Sequence, residues 1–356
     1  MNKFECDESY KADMKEYMEK IVEKYGISSQ SAEREIMCMA DMGNKVAAKL
    51  YADMVFYKKI LRRNPYKEAF ALYLRSADIK ISDNGSFISS VKSYPLSFWN
   101  IAYYLINYRK ASFLEKCESI EIIDAMSYTE RLKAAIELSS ACITYVDAPG
   151  AVNLIGRILL EAGNDEDKYT ALKPVLQRCI TEREFDRISL RTGDISCRED
   201  CLREADNFFT VAAAAGYVYA CNNLAAREAG NIIRLDAAGG DKEEIGEAVE
   251  RYKEYLRLSA DKYEPYAANR LGLFYMTGDI EANGQKVTYR DHIDQALAKE
   301  YFKKATQYPD ANSAWAFFNL IKYFHKDYDT NIELMNEHMD YIKMLNGKVY
   351  DLAMEL

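Results

Sequence analysis

The fold depends on a pattern that is clearest at residues 259–272, which read SADKYEPYAANRLG. Residues 212–225 (AAAAGYVYACNNLA) and 39–52 (MADMGNKVAAKLYA) repeat the same spacing. Each runs from two small or apolar residues through a turn to an alanine, then three residues, a large apolar residue and a small one. Because a spacing that recurs along a chain is typical of repeat architectures, these segments predict a series of similar structural units.

The large apolar residue of the pattern, called the anchor below, occurs six times. The anchors are Tyr51, Ile101, Ile155, Leu224, Leu271 and Leu320. A small side chain precedes every anchor by four residues, and another follows five of them directly, with Ile321 as the exception. Small and large residues at helical spacing predict a helix that packs closely against a neighbour. Amphipathic partner helices are predicted at residues 66–77, 130–142, 204–213, 247–260 and 297–305.

Composition agrees with this helical prediction. Six prolines and sixteen glycines among 356 residues are about half of the roughly 12% expected from average usage, and sheets with many turns need more of both. We therefore expect an all-α protein in which helix pairs pack against their neighbours as a single α-solenoid over residues 1–356. In this layout, capping helices occupy 1–42 and a C-terminal capping helix occupies 331–356. About six repeats fill 43–330, with insertions at 78–94, 164–203 and 278–294.

Three strings resemble a known family. Residues 220–225 (ACNNLA), 267–278 (AANRLGLFYMTG) and 298–305 (AKEYFKKA) are similar to Sel1-like repeats, the tetratricopeptide-related (TPR-like) α/α superhelical solenoids. The similarity is best over residues 205–324 and fair over 31–77. It implies a scaffold or adaptor that holds a peptide or protein segment in a concave groove lined by the first helix of each pair.

The resemblance also implies which residues face that groove, namely those just before each anchor. These positions hold Asn100, Asn153, Asn222, Asn223, Asn269, Arg270 and Asn319, and Arg157 and Lys322 follow their anchors by two residues. One interpretation is that the amides bond to the backbone of an extended peptide while the cations attract a carboxylate. The other is that the asparagines bond to the adjacent repeat. Both stay open at this point.

Several function classes are disfavoured by the sequence. A net charge of −9 does not favour nucleic acid as a partner. The acidic N-terminus is unlike a signal peptide, and the longest apolar stretch, residues 211–221, is too short to cross a bilayer, so we expect a cytoplasmic protein without a membrane partner. No phosphate-binding, metalloprotease or nucleophile-elbow motif occurs. We therefore predict no enzyme activity and no cofactor.

Two small clusters have ordinary interpretations. Cys197 and Cys201 are one helical turn apart without a nearby histidine, and this arrangement favours simple thiols over a metal site. Asp291, His292 and Asp294 are typical of a helix start with its cap.

The prediction is thus a non-enzymatic scaffold that binds a protein or peptide, with its oligomeric state open. The alternative is a peptide-sensing regulatory protein with a TPR-like sensor and an N-terminal helix-turn-helix. Residues 25–31 have a weak similarity to such a turn. The helix that follows carries Glu33 and Glu35, which phosphates would repel.

Overall fold

The computed structural model describes residues 30–56, 65–81, 87–89, 94–107, 123, 125–182, 185, 188, 190–307, 312–328 and 331–356. The chain divides into two compact units, unit 1 at residues 1–212 and unit 2 at residues 213–356. The expected capping segment before residue 30 lies outside the described residues, as does the stretch 25–29 of the helix-turn-helix alternative.

In unit 1 the first seven helices pack against their neighbours in sequence, and the eighth packs against the sixth through Leu202 and Phe209. These helices are α1 (Gln30–Asp41), α2 (Lys45–Phe56), α3 (Pro65–Ser76), α4 (Leu96–Asn107), α5 (Tyr128–Tyr145), α6 (Pro149–Asn164), α7 (Glu166–Leu176) and α8 (Arg198–Ala214), which ends at the boundary. Strands β1 (Ile79–Ile81) and β2 (Phe87–Ser89) pair antiparallel within the insertion at 78–94, with Ile79 opposite Ser89.

Local sequence explains where several of these helices begin and end. Ser127 and Glu130 form a capping box at the start of α5, which satisfies two otherwise unpaired backbone N–H groups. Helix α6 begins at Pro149. Proline suits the first helical position because its φ angle is already helical and the N–H that it lacks has no partner there. The insertion at 164–203 contains a helix, α7. Pro174 lies inside that helix, and three residues later the chain passes into a π-helical turn, Gln177–Thr181.

Unit 2 contains helices α9 (Val218–Ala237), α10 (Lys242–Ala260), α11 (Pro265–Thr277), α12 (Gln295–Ala305), α13 (Ser313–Tyr323), α14 (Ile332–Leu345) and α15 (Gly347–Ala353). The insertion at 278–294 forms a β-hairpin of β3 (Asp279–Ala282) and β4 (Gln285–Thr288). Asn283 and Gly284 close it with positive φ angles of 53° and 75°, as the favoured two-residue hairpin turn requires. The hairpin reaches back onto α9, and Ile280 is fully buried in the core there.

The predicted close approach of helices at small residues is confirmed. A Cβ atom on Gly272 of α11 would lie 2.6 Å from the Phe302 ring of α12, and one on Gly156 of α6 would lie 2.7 Å from the Phe209 ring of α8. These distances are shorter than ordinary van der Waals contacts. The ring of the neighbouring helix therefore occupies the space that the Cβ atom of any residue other than glycine would need. Each helix can bury its apolar face in this way.

The all-α class is confirmed, and consecutive helix pairs are the packing unit in each part. Between residues 331 and 356 the structure has two helices where the sequence predicted one. Asn346 separates them, because its side chain caps α15 by accepting from the Val349 N–H at 3.4 Å. The layout as one solenoid with six repeats stays a prediction.

Candidate functional site

A pocket of about 200 Å³ in unit 2 brings together two of the predicted binding residues, Asn222 and Arg270. It lies between α9, α10, α11 and the tip of the β3–β4 hairpin. Its lining is small on α9, aromatic on α10 and α11, and polar at the hairpin: Asn222, Ala225, Ala226, Ala229, Tyr252, Leu256, Tyr266, Arg270, Glu281, Ala282 and Asn283. The alanines create the space, because they leave α9 without bulk where the hairpin crosses it.

The amide nitrogen of Asn222 holds the side chain in place. Its Nδ2 donates to Glu264 Oε2 at 3.0 Å, and the same carboxylate oxygen accepts from the Ala267 N–H at 2.7 Å. Glu264 is the N-cap of α11 and is only 6% exposed. The Oδ1 atom of Asn222 is buried and has no hydrogen-bond donor among the described residues. The amide orientation is therefore set by Glu264, which leaves an acceptor unused in the wall of the pocket.

Arg270 holds the hairpin against α11. Its Nη2 donates to the backbone carbonyl of Glu281 at 3.1 Å, and Nη1 lies 4.0 Å from the Glu281 carboxylate. The Tyr252 side chain lies near this guanidinium in the same pocket. The Glu281 carbonyl lies on the edge of β3 that faces α11. The hydrogen bond from Arg270 therefore attaches strand β3 to helix α11.

The ionisation states of these groups follow from burial and proximity. Burial raises the pKa of Tyr252, so its phenol is neutral at physiological pH. Burial alone would lower the pKa of Arg270, but Tyr252, Tyr266 and Glu281 outweigh it and the pKa is raised. The pocket therefore presents one cation and one carboxylate beside neutral hydrogen-bonding groups.

Two other predicted residues pair with each other instead of lining this pocket. Asn319 Nδ2 of α13 donates to Asn269 Oδ1 of α11 at 2.9 Å, and both side chains are at least nine-tenths buried. This contact joins two anchor helices, as the adjacent-repeat interpretation requires. Asn222, through Glu264, likewise connects α9 to the start of α11. A binding role for Asn269 and Asn319 stays a prediction.

The remaining predicted residues lie elsewhere. Asn100 and Asn153 are buried in α4 and α6, and the Asn100 Oδ1 has no donor in the described part of the chain. Arg157 donates to Asn107 Oδ1 at 3.2 Å. Asn223 is half-buried in α9, and Lys322 is exposed with its Nζ 5.0 Å from the Tyr323 ring centroid.

The pocket also contains residues that the sequence analysis did not single out, chiefly Tyr252, Tyr266 and Glu281. The dipeptide Asn283-Gly284 was the available signal, because Asn-Gly between short strands is a strong hairpin indicator. It would have placed a hairpin in the insertion at 278–294. It would not have revealed that the hairpin crosses α9.

Residues of both minor clusters have ordinary hydrogen-bond partners. Among the described residues, no group of three His, Cys, Asp or Glu side chains is placed to hold a metal ion. Cys197 is exposed, and its thiol donates to Asp200 at 3.2 Å, while burial raises the pKa of Cys201 to about 12. Asp294 caps α12 by accepting from the Leu297 N–H at 3.0 Å. The helices described here include none with the length and apolarity to span a bilayer.

No family model matches the chain, and no curated protein matches it. The chain is similar to solved Sel1-repeat proteins. A Sel1 repeat protein from Oxalobacter formigenes has 16% identity and a TM-score of 0.38, with 87% of this chain and 89% of that chain covered. The protective antigen c5321 of uropathogenic Escherichia coli strains, which has an SLR fold, has 15% identity and a TM-score of 0.34, with coverages of 91% and 59%.

Proposed function

We propose that this chain is a non-enzymatic scaffold that binds a segment of another protein, and that the pocket between α9, α10, α11 and the β3–β4 hairpin receives that segment. The observation that carries the proposal is the meeting of Asn222 and Arg270, predicted as binding residues, in one pocket beside exposed Tyr266. Aromatic residues and arginine are the side chains most enriched at binding hot spots.

The size and chemistry of the pocket favour binding over catalysis. About 200 Å³ is less than the roughly 300–1,000 Å³ typical of sites for drug-sized ligands, so the pocket suits one side chain of a longer segment. Its lining pairs no serine, cysteine or lysine nucleophile with a base, which covalent catalysis requires. Burial raises the pKa of Tyr252, so even less of it is present at neutral pH as the phenolate that could act as a base or nucleophile.

The test uses a random peptide display library panned against the immobilised full-length protein. We expect selected peptides to bind the wild type and to lose at least tenfold in affinity for Ala226→Trp, because Ala226 is an exposed wall residue and the indole fills the pocket. Ala214→Trp is the matched control, since Ala214 is also exposed but lies at the end of α8, outside this lining.

Two results would contradict the proposal. One is a library that yields no binding peptide. The other is a set of peptides whose affinities, measured by fluorescence polarisation, are equal for the wild type, Ala226→Trp and Ala214→Trp.

A further inference from the structure

We infer that the bound segment carries an acidic side chain that pairs with Arg234, about four residues away from the side chain that enters the pocket described above. That pocket, which contains Asn222 and Arg270, is called the first pocket below. This inference rests on the proposed function and specifies its ligand. It follows from a neighbouring cavity on the same helix, from the charge of that cavity, and from the distance between the two.

The neighbouring cavity, called the second pocket, has a volume of about 500 Å³ and lies along the C-terminal half of α9. Its lining comes from α9, the residue that follows it and the hairpin: Gly230, Ile233, Arg234, Ala237, Ala238, Ala282, Asn283 and Gln285. Ala282 and Asn283 line both pockets, so the two cavities meet at the hairpin tip. A segment that occupies the first pocket can therefore continue into the second.

The second pocket presents one positive charge. Arg234 is the single charged side chain among its described lining residues, and it is exposed. Its Nη2 donates to the neutral Asn231 Oδ1 at 2.8 Å, and within the described ranges no carboxylate forms an ion pair with it. In the first pocket, by contrast, the Arg270 guanidinium already has the Glu281 carboxylate 4.0 Å away. A planar guanidinium fork suits a carboxylate, so an acidic guest meets an accessible cation at Arg234 without displacing another acid.

A basic guest would lack a counter-charge in the second pocket. Carbonyls at the C-terminus of a helix usually attract cations, but the Arg234 carbonyl already accepts from the Ala238 N–H at 3.1 Å. The Leu235 carbonyl likewise accepts from the Gly240 N–H at 2.8 Å. Asp236 is outside the lining, because two helical residues turn it about 200° away from Arg234. An ammonium group would thus face the guanidinium uncompensated, and a pocket discriminates against such a charge.

The distance between the pockets is one that a short extended chain covers. Ala226 of the first pocket is followed at intervals of four residues by Gly230 and Arg234 of the second, so the three lie along one side of α9. From Ala226 to Arg234 the helix rises about 12 Å. An extended segment advances about 3.3 Å per residue, so four residues span this distance, and an even spacing directs both side chains to the same face.

The experiment first locates the acid in the peptides. Peptides that are selected on the wild type and lose affinity for Ala226→Trp are resynthesised with an amidated C-terminus, so that their carboxylates are side chains. Alanine scanning by fluorescence polarisation, on the wild type and on Ala226→Trp, identifies the residue that enters the first pocket. We expect a shared Asp or Glu, and about fivefold weaker affinity when it is replaced by Asn or Gln, the upper range for an exposed ion pair.

Variants of Arg234 then identify the partner of that acid. Arg234→Gln should weaken the acidic peptides by the same factor and should no longer distinguish them from their Asn or Gln counterparts. Arg234→Glu should reverse the preference, so that peptides with Lys in place of the acid bind it more tightly than the parent peptides do. A misfolded variant cannot produce this reversal. Arg290→Gln is the matched control and should leave binding unchanged, because Arg290 is also exposed in unit 2 but lies outside both linings.

The outcomes separate the inference from the proposed function. Pocket-dependent peptides without a shared acid, or with the acid directly beside the residue that enters the first pocket, would overturn the pairing with Arg234 and leave the scaffold function standing. So would an acid whose replacement weakens binding equally for the wild type and Arg234→Gln. A library without pocket-dependent peptides would overturn the proposed function, and the pairing with it.

Discussion

In both units, helices pack closely where a glycine meets a phenylalanine ring, but the two units connect their helices through different polar contacts. In unit 1, Gly156 lies against Phe209, and in unit 2 Gly272 lies against Phe302. The buried connection in unit 1 is short: the hydroxyls of Ser76 and Ser97 lie 2.7 Å apart, and Ser76 also donates to the Lys45 carbonyl. In unit 2 the longer amides of Asn269 and Asn319 connect helices at 2.9 Å.

This difference separates what makes the fold from what makes the site. Glycine and aromatic side chains set the distance between helices in both units, whereas the polar residues around the anchors vary. Counting only donors on residues that the structure describes, a buried amide oxygen lacks one in each unit, at Asn100 and Asn222, and Asn222 is the one that lines the pocket beside Arg270. The following predictions test this separation.

The largest effect is expected from Gly272→Leu. The first atom of the new side chain would lie 2.6 Å from the Phe302 ring, so the helices must move apart or the ring must turn. We expect the free energy of unfolding in urea to fall by about 1–3 kcal/mol or more, and Gly156→Leu to behave alike in unit 1. Gly246→Leu is the control, because its Cβ would meet nothing within 4 Å on the exposed face of α10. Equal stability of Gly272→Leu and Gly246→Leu would contradict the shared packing device.

A smaller loss is expected from Asn319→Leu, which leaves the buried Asn269 Oδ1 without the donor it now has. The expected decrease in unfolding free energy is about 1–3 kcal/mol. The double variant Asn269→Leu with Asn319→Leu should be less destabilised than the sum of the two single changes, because neither amide is then left unpaired.

The same variants decide between the two interpretations of the asparagine positions. Peptides selected at the pocket should bind Asn319→Leu with unchanged affinity, since Asn319 lies outside the pocket lining. If Asn319→Leu keeps wild-type stability but loses peptide binding, the amides of α11 and α13 serve the partner and not the adjacent repeat.

Ser76→Ala should cost about 1 kcal/mol of unfolding free energy in unit 1, the usual net value of a hydrogen bond. The expected cost is below that of Asn319→Leu, because the Ser97 hydroxyl can rotate toward another acceptor. Urea titration of Ser76→Ala, Ser97→Ala and their combination gives the coupling energy directly. A Ser76→Ala loss larger than that of Asn319→Leu would reverse the proposed difference between the units.

The smallest effect, and one of opposite sign, is expected from Gly230→Ala. A Cβ atom at Gly230 in α9 meets nothing within 4 Å, so alanine gains helix propensity without a clash. The unfolding free energy should rise by roughly 0.5–1 kcal/mol. Gly156→Ala is the matched comparison, and it should lower stability because its Cβ would lie 2.7 Å from Phe209. Thermal melts in which both changes have the same sign would contradict this explanation.

The sequence predicts the helices well because their causes are local. The spacing around Leu271 and the proline at 265 correctly indicate α11, and the small residue after the anchor indicates the close approach to α12. The prediction of a single helix at 331–356 is wrong because the side chain of Asn346 caps the start of a second helix. The spacing of the apolar residues does not indicate this break.

The site is less predictable because it depends on contacts between residues far apart in sequence. Asn269 and Arg270 are neighbours with the same predicted role, yet a rotation of about 100° per helical residue turns Asn269 toward Asn319 and Arg270 toward the hairpin. Glu281 reaches the pocket through the placement of the hairpin on α9, and Tyr252 reaches it through the packing of α10 against α9. The periodicity of a single segment does not predict contacts between residues of different elements.

The β3–β4 hairpin forms part of the pocket without being part of the helical framework. It is inserted between two helices, and it extends past its sequence neighbours to cover an earlier helix, α9. Under the proposed function, a change in the length or tip of this one loop would therefore alter which segment is bound, while the helical framework keeps its geometry. Surface loops tolerate such changes better than the helices that they connect.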